Sequence, residues 1–156
     1  MNSGKWLIVG IFGLALAAAL AAWLNRRAQT DHVQTLWGNT ALRLIESAPR
    51  VELVIRDNNS GDEQRLDVTR ARGTPNIRHT LGRDFAYLGA FKNPETMKPG
   101  KWTLVFSDGA ETATLGFDEE CRIAVLGDKK HAAAFVEPAS ELLKGYFAEQ
   151  VEKLRQ

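Results

Sequence analysis

Cysteine is almost absent from this chain: Cys121 stands alone among 156 residues. A single thiol forms no internal disulfide and no cysteine-rich zinc site. Exported domains also exist without disulfides, so the compartment stays open. The three histidines, His32, His79 and His131, fall at none of the spacings that chelate a metal. Asp118-Glu119-Glu120 supplies carboxylates but lacks the interleaved spacing and glycine of a calcium loop, and reads as a surface turn. No metal and no cofactor are expected. GxSxG, the P-loop, GxGxxG and HExxH are all missing. Cys121 opens an apolar segment, where a thiol acts as a small hydrophobe. No catalytic residue is assigned, and the expectation leans away from an enzyme.

Excess charge is missing as well. Lys and Arg total 20 and Asp and Glu total 19. Three of the cations, Lys5, Arg26 and Arg27, flank an apolar run. The remainder of the chain therefore holds 17 basic against 19 acidic residues, a net −2. A near-neutral domain without aromatic-basic interleaving argues against nucleic-acid binding.

One long apolar run organises what is present. Trp6 to Leu24 is nineteen residues without a charge or a proline. As a helix it measures about 28 Å, close to the hydrocarbon thickness of a bilayer. Trp6 and Trp23 stand at its ends, where indole favours the headgroup level, with Lys5 outside one end and Arg26 and Arg27 outside the other. The expectation is an uncleaved single-pass transmembrane helix with the lipid bilayer as first partner. The competing reading is a cleaved signal peptide. Ala19-Leu20-Ala21 fits a cleavage site, but the apolar run continues past it and exceeds an ordinary h-region. Gly13, Ala17 and Ala21 recur every four residues on one helix face. That spacing permits weak self-association and also arises by chance in an alanine-rich run.

Orientation is nearly balanced. The Arg26-Arg27 pair taken alone favours a cytosolic domain. An apolar segment opening at residue 6 reads as a signal-anchor, which exports the chain on its C-terminal side. The expectation is an exported, envelope-facing domain.

The organisation expected is a short tail (1–5), the transmembrane helix (6–24), a juxtamembrane linker or helix start (25–38) and one soluble domain (39–156). Leu36, Thr40, Leu44 and Ser47, with Trp37, Ala41 and Ile45 alongside, have helical spacing, and Gly38-Asn39 is a candidate break. Val51–Asp57 and Arg65–Thr69 alternate around the turn residues 58–62, which reads as a hairpin. Asn58-Asn59-Ser60 matches the glycosylation pattern by composition alone. Thr74 as N-cap with Pro75 at the first helical position opens a short helix that Gly82 stops. Phe85–Leu88 is a strand candidate. Trp102–Ser107, Glu111–Phe117 and Cys121–Leu126 form a three-stranded meander, with Asp108-Gly109 as its first turn. Lys129–Val136 reads as helical through Ala132-Ala133-Ala134, and Pro138 begins a final helix to about Leu154. Consecutive hairpins with helices at both ends give an α+β domain, a mainly antiparallel sheet covered by helices.

The sharpest local feature is basic. From Arg65 to Arg83 there are five arginines and one acid, Asp67. Arginine's planar fork suits carboxylate and phosphate. Arg70, Arg72, Arg78, His79 and Arg83 are the candidate anion- or partner-binding residues; the bland alternative is a solvated face paired with nearby acids. The function expected is a membrane-anchored protein with a small non-catalytic interaction domain and a protein partner in or at the membrane. The alternative is a membrane-anchored enzyme acting on a phosphate- or carboxylate-bearing substrate, with His79 as acid/base.

Overall fold

The structure is a computed structural model that describes residues 3–57, 61–98 and 100–154. Within these it describes the side chains of all but 3–10, 23–31 and 154. The turn residues Asn58-Asn59-Ser60, with their glycosylation pattern, lie outside the described residues.

The domain is an α+β fold built on a seven-stranded antiparallel sheet. Its strands are β1 (Arg50–Arg56), β2 (Glu63–Asp67), β3 (Tyr87–Ala90), β4 (Trp102–Ser107), β5 (Thr112–Phe117), β6 (Ile123–Leu126) and β7 (Ala132–Phe135). The helices are α1 (Ser3–Ser47), α2 (Thr74–Leu81) and α3 (Glu137–Leu154). Spatial order across the sheet is β2-β1-β4-β5-β6-β7-β3. The expected hairpin forms with Leu53 opposite Leu66, the meander with Leu104 opposite Leu115 and Leu115 opposite Leu126, and Leu53 opposite Leu104 joins the two.

Strand alternation decides which face is covered. Trp102, Leu104 and Phe106 of β4 are buried while Thr103, Val105 and Ser107 between them are half-buried. Ala113, Leu115 and Phe117 repeat the pattern on β5. The helices pack on this face. Past Gly38, α1 contributes Ala41, Leu42, Leu44 and Ile45, α2 contributes Ile77 and Leu81, and α3 contributes Ala139, Leu143, Tyr146 and Phe147. Each large apolar side chain so enclosed is worth about 1.5–3 kcal/mol relative to exposure.

Gly38 breaks α1. Its φ of 76° and ψ of 163° lie outside the helical region, in a conformation that glycine adopts at little cost. The break lets the second part of α1 turn onto the sheet. Residues 25–38, read from the sequence as a linker or the start of a helix, lie within α1, which runs helically up to the break at Gly38. Thr40 and Ser47, placed on the apolar face by spacing, are exposed; Leu36 and Leu44 carry the burial.

Three local expectations are corrected. Ala132–Phe135 is a strand, not a helix. Its alanines pair with Ile123, Ala124 and Val125 on one side and with Gly89 and Ala90 on the other. A two-sided backbone ladder outweighs alanine's helix preference of a few tenths of a kcal/mol per residue, about all that a segment this short has in its favour. Thr74 does not cap α2: Gly73, at φ 93°, is the N-cap. The Thr74 hydroxyl is buried instead, donating to the Val68 carbonyl at 2.7 Å and meeting the Tyr146 hydroxyl at 2.7 Å. Asp84–Ala86 forms a short 3-10 turn, so the strand expected at Phe85 begins at Tyr87.

Among the described residues no helix is long and apolar enough to cross a membrane. The side chains described within the apolar run are those of Ile11–Ala22, about 18 Å of helix. All of them are exposed, and Ile11, Phe12, Leu14, Leu16 and Leu20 are each between 57% and 77% accessible.

Candidate functional site

The arginine run does not converge on one pocket. Arg65 reaches toward Glu52 at 3.6 Å, and Glu52 also takes Arg50 at 2.6 Å. Arg70 is exposed and borders an open hollow of about 610 Å³ with Pro49, Arg50, Asp67 and Thr69. Arg72 is exposed and acts on the Glu149 carboxyl by charge alone; the main cause of that group's lowered pKa is its hydrogen bond from Lys153. Of the acidic turn 118–120, Glu120 pairs with Lys144 at 2.6 Å rather than with an arginine.

Arg78, His79 and Arg83 do come together. They line a shallow groove of about 380 Å³ with Glu46, Pro75 and Gly82. The geometry divides their roles. Helical spacing turns Arg78 inward from α2, where its guanidinium donates to the carbonyls of Ile45 at 3.1 Å and Ala48 at 2.5 Å. It also stands 5.7 Å over the Phe106 ring. These carbonyls close the C-terminal end of α1, whose last turn carries no other cation. Partial burial lowers the Arg78 pKa, and a weaker influence of Tyr146 opposes it. Arg78 is therefore a helix cap, with one donor from each terminal nitrogen given to the fold. His79 is exposed and tilts against Phe85 at 6.1 Å between ring centroids. Glu46 adds a carboxylate to the groove, which works against an anionic ligand there.

The capping role of Arg78 is testable through stability. Arg78→Ala strands the Ile45 and Ala48 carbonyls, and we expect a loss of about 2–3 kcal/mol in urea unfolding. Arg72→Ala, on an exposed residue, should stay within about 0.5 kcal/mol. Equal losses would remove the capping role.

A further concave region lies at the helix break and was not legible in the sequence. Trp37, Gly38, Asn39, Thr40 and Leu44 of α1 face Thr112 and Thr114 of β5 and the Leu126–His131 turn across a groove of about 510 Å³. Within the turn, Asp128 holds His131 Nδ1 at 2.7 Å. The same carboxylate accepts the backbone N–H groups of Lys130 at 2.8 Å and His131 at 3.3 Å. Partial burial pushes the Asp128 carboxyl up, but these hydrogen bonds together outweigh it and hold the group below its ordinary value. Asp128 is the residue that orients His131 here. The only local signal was Gly127-Asp128 three residues ahead of a histidine, a pattern common to tight turns. The lining supplies hydroxyls from threonine but no cysteine, serine or lysine nucleophile.

Cys121 does not begin β6. It sits in the turn before it at φ 54°, fully enclosed, and burial pushes its thiol up to about 12. A thiol so placed is a poor nucleophile. No group of His, Cys, Asp and Glu among the described residues is arranged to hold a metal ion. Comparison of the chain with protein-family models, with curated proteins and with solved structures gives no match.

Proposed function

We propose that this chain is a single-pass membrane-anchored protein whose α+β domain is a non-catalytic interaction module. The observation that carries the reading is the surface of α1 between Ile11 and Ala22. Successive helical residues are about 100° apart, so Ile11, Phe12, Leu14, Leu16 and Leu20 point in about five directions around the axis. All five are exposed, and none belongs to the domain's core cluster. A helix apolar all round has to be buried in something. The described stretch is shorter than a bilayer core, but the uncharged sequence extends from Trp6 to Leu24, which supplies the length. Lipid is the medium that suits every face at once.

The interaction role rests on what the grooves hold. Arg78 serves the fold, leaving the exposed Arg70 and Arg72, and the groove residues His79 and Arg83, to meet a partner in or at the membrane. We place the domain on the exported side.

Membrane retention after alkaline carbonate washing tests the anchor, and extraction of the full chain into the supernatant would overturn it. Paired reporters fused after Gln156, one active only when exported and one only in the cytosol, test the side. Signal from the cytosolic reporter alone would reverse the placement.

A further inference from the structure

Among the described residues two buried side-chain polar atoms lack a hydrogen-bond partner, the Ser140 hydroxyl and the Gln150 amide nitrogen. Such atoms are few in a native fold, because each has given up water and gained nothing for it. Ser140 is 5% exposed and stands in the wall of a groove of about 300 Å³. Its lone pairs are unclaimed by the fold.

The rest of the lining says what could claim them. α3 brings Glu137, Ser140 and Glu141 to the groove, and the spacing i, i+3, i+4 puts all three on one helix face. The sheet contributes two apolar side chains, Phe135 of β7 and Leu88 of β3. Leu88 is 74% exposed there. Glu120 and Arg122, from the turn before β6, complete the lining.

Charge then selects the ligand. Glu120 already holds the Lys144 ammonium at 2.6 Å, and that hydrogen bond is the main cause of its lowered pKa. Arg122 acts on Glu120 only as a minor charge influence. Among the described residues Glu137 and Glu141 form no ion pair, and neither does Arg122. With Glu120 neutralised by Lys144, two carboxylates stand against one guanidinium, which disfavours an anion. No group of His, Cys, Asp and Glu among the described residues is arranged to close on a metal ion. An ammonium on an aliphatic stem fits better. It carries three donors and no acceptor, so carboxylates and a free hydroxyl oxygen suit its head. Its stem buries against apolar side chains.

Glu137 has a simpler role available, as an acid in the first turn of α3, where a carboxylate complements the helix dipole. That role accounts for neither Glu141, one turn further on, nor the orphan hydroxyl between them.

We infer that this groove binds an alkylammonium group, either a lysine side chain of a partner or a free aliphatic diamine. Glu137 and Glu141 are its counter-ions, Ser140 is an added acceptor, and Leu88 with Phe135 receives the stem. The site is separate from the arginine-bearing surface and does not depend on the anchor.

The test titrates the full chain, in deuterated neutral-detergent micelles, with diaminopentane and with lysine blocked at both backbone ends. Saturation transfer from the protein to the ligand methylenes reads binding. We expect transfer to at least one of the two. Binding of the diamine alone assigns a free ligand, and binding of the blocked lysine as tightly or more so assigns a partner's side chain. No transfer to either at millimolar concentration would overturn the site. Glu137→Gln with Glu141→Gln should weaken binding about tenfold or more, while Glu95→Gln, an exposed acid outside the groove, should leave it unchanged. Equal weakening by Glu95→Gln would mean that general surface charge attracts the ligand, and the proposal fails. Ser140→Ala separates a ligand group from a structural one. Deleting an unsatisfied oxygen should hold or raise the melting temperature, yet binding should weaken severalfold. Binding unchanged in Ser140→Ala would reduce the groove to an acidic surface, again overturning the site. Leu88→Ser should erase the advantage of diaminopentane over plain ammonium ion. If the parent chain shows no such advantage, no stem is read and the inference falls.

Discussion

Phe147→Ala should remove about 3–5 kcal/mol from the domain, against a total of about 5–15 kcal/mol for a domain of this class. Phe147 projects from α3 onto the centre of the sheet and has no exposed surface. It stacks on Trp102 at 5.4 Å and meets Phe117 edge-on at 5.1 Å. Its neighbour Tyr146 lies at 5.7 Å and is tied through its hydroxyl to Thr74. Truncation therefore opens a cavity among rings held from three elements, α3, β4 and β5, none of which is free to collapse into it. Urea unfolding followed by tryptophan fluorescence would read this as a large fall in midpoint with the slope kept. Phe85→Ala is the contrast: the same chemical deletion on a largely exposed ring should stay within about 0.5 kcal/mol. A loss under about 1 kcal/mol at Phe147 would mean that α3 does not seal the core as described.

The contrast between these two phenylalanines marks how far the sequence could be read. Alternation on Trp102–Ser107 and the Asp108-Gly109 turn specified β4 and β5 because both signals are local and agree. The final helix was readable from Leu143 and Phe147, since their spacing matches a helix turn. Ala132–Phe135 was not, because alanine says little about the face it will meet; its strand state comes from β6 and β3 on either side. The hydroxyl of Thr74 was assigned to its own helix for the same reason. Its partners, Val68 and Tyr146, are separated from it by a loop and by the length of the domain.

The candidate site followed the same rule. That Arg65 to Arg83 is rich in arginine is visible in the chain. That Arg78 is the one turned inward depends on where the end of α1 falls, two turns beyond the break at Gly38. The Asp128–His131 pair was hidden because three residues of turn bring them together, with no longer-range pattern to announce it.

Gly100 carries the second large effect. The chain leaves β3 at one edge, where the Phe91 N–H bonds the Ala132 carbonyl at 2.8 Å. It must then pass β7, β6 and β5 to start β4. Val125 and Ala132 are buried although their side chains lie on the face opposite the helices. The crossing is pinned where the Gly100 N–H donates to the Phe117 carbonyl at 2.8 Å. A Cβ on Gly100 would come within 2.6 Å of the Asp118 carbonyl carbon and 2.7 Å of the Phe117 oxygen. Both are backbone atoms at the end of β5 and have no rotamer to change. Gly100→Ala must push the crossing off the sheet, losing the hydrogen bond as well. The expected loss is about 2–4 kcal/mol, the sum of overpacking and one broken bond. Gly145→Ala should go the other way. Gly145 is interior to α3 with nothing near its absent Cβ, so alanine should add about 0.5–1 kcal/mol. Hydrogen exchange separates a local from a global effect: in Gly100→Ala the Phe91 amide should lose protection before those of β4 and β5 do. If Gly100→Ala unfolds at the same midpoint as the parent, the crossing segment is not held against the end of β5.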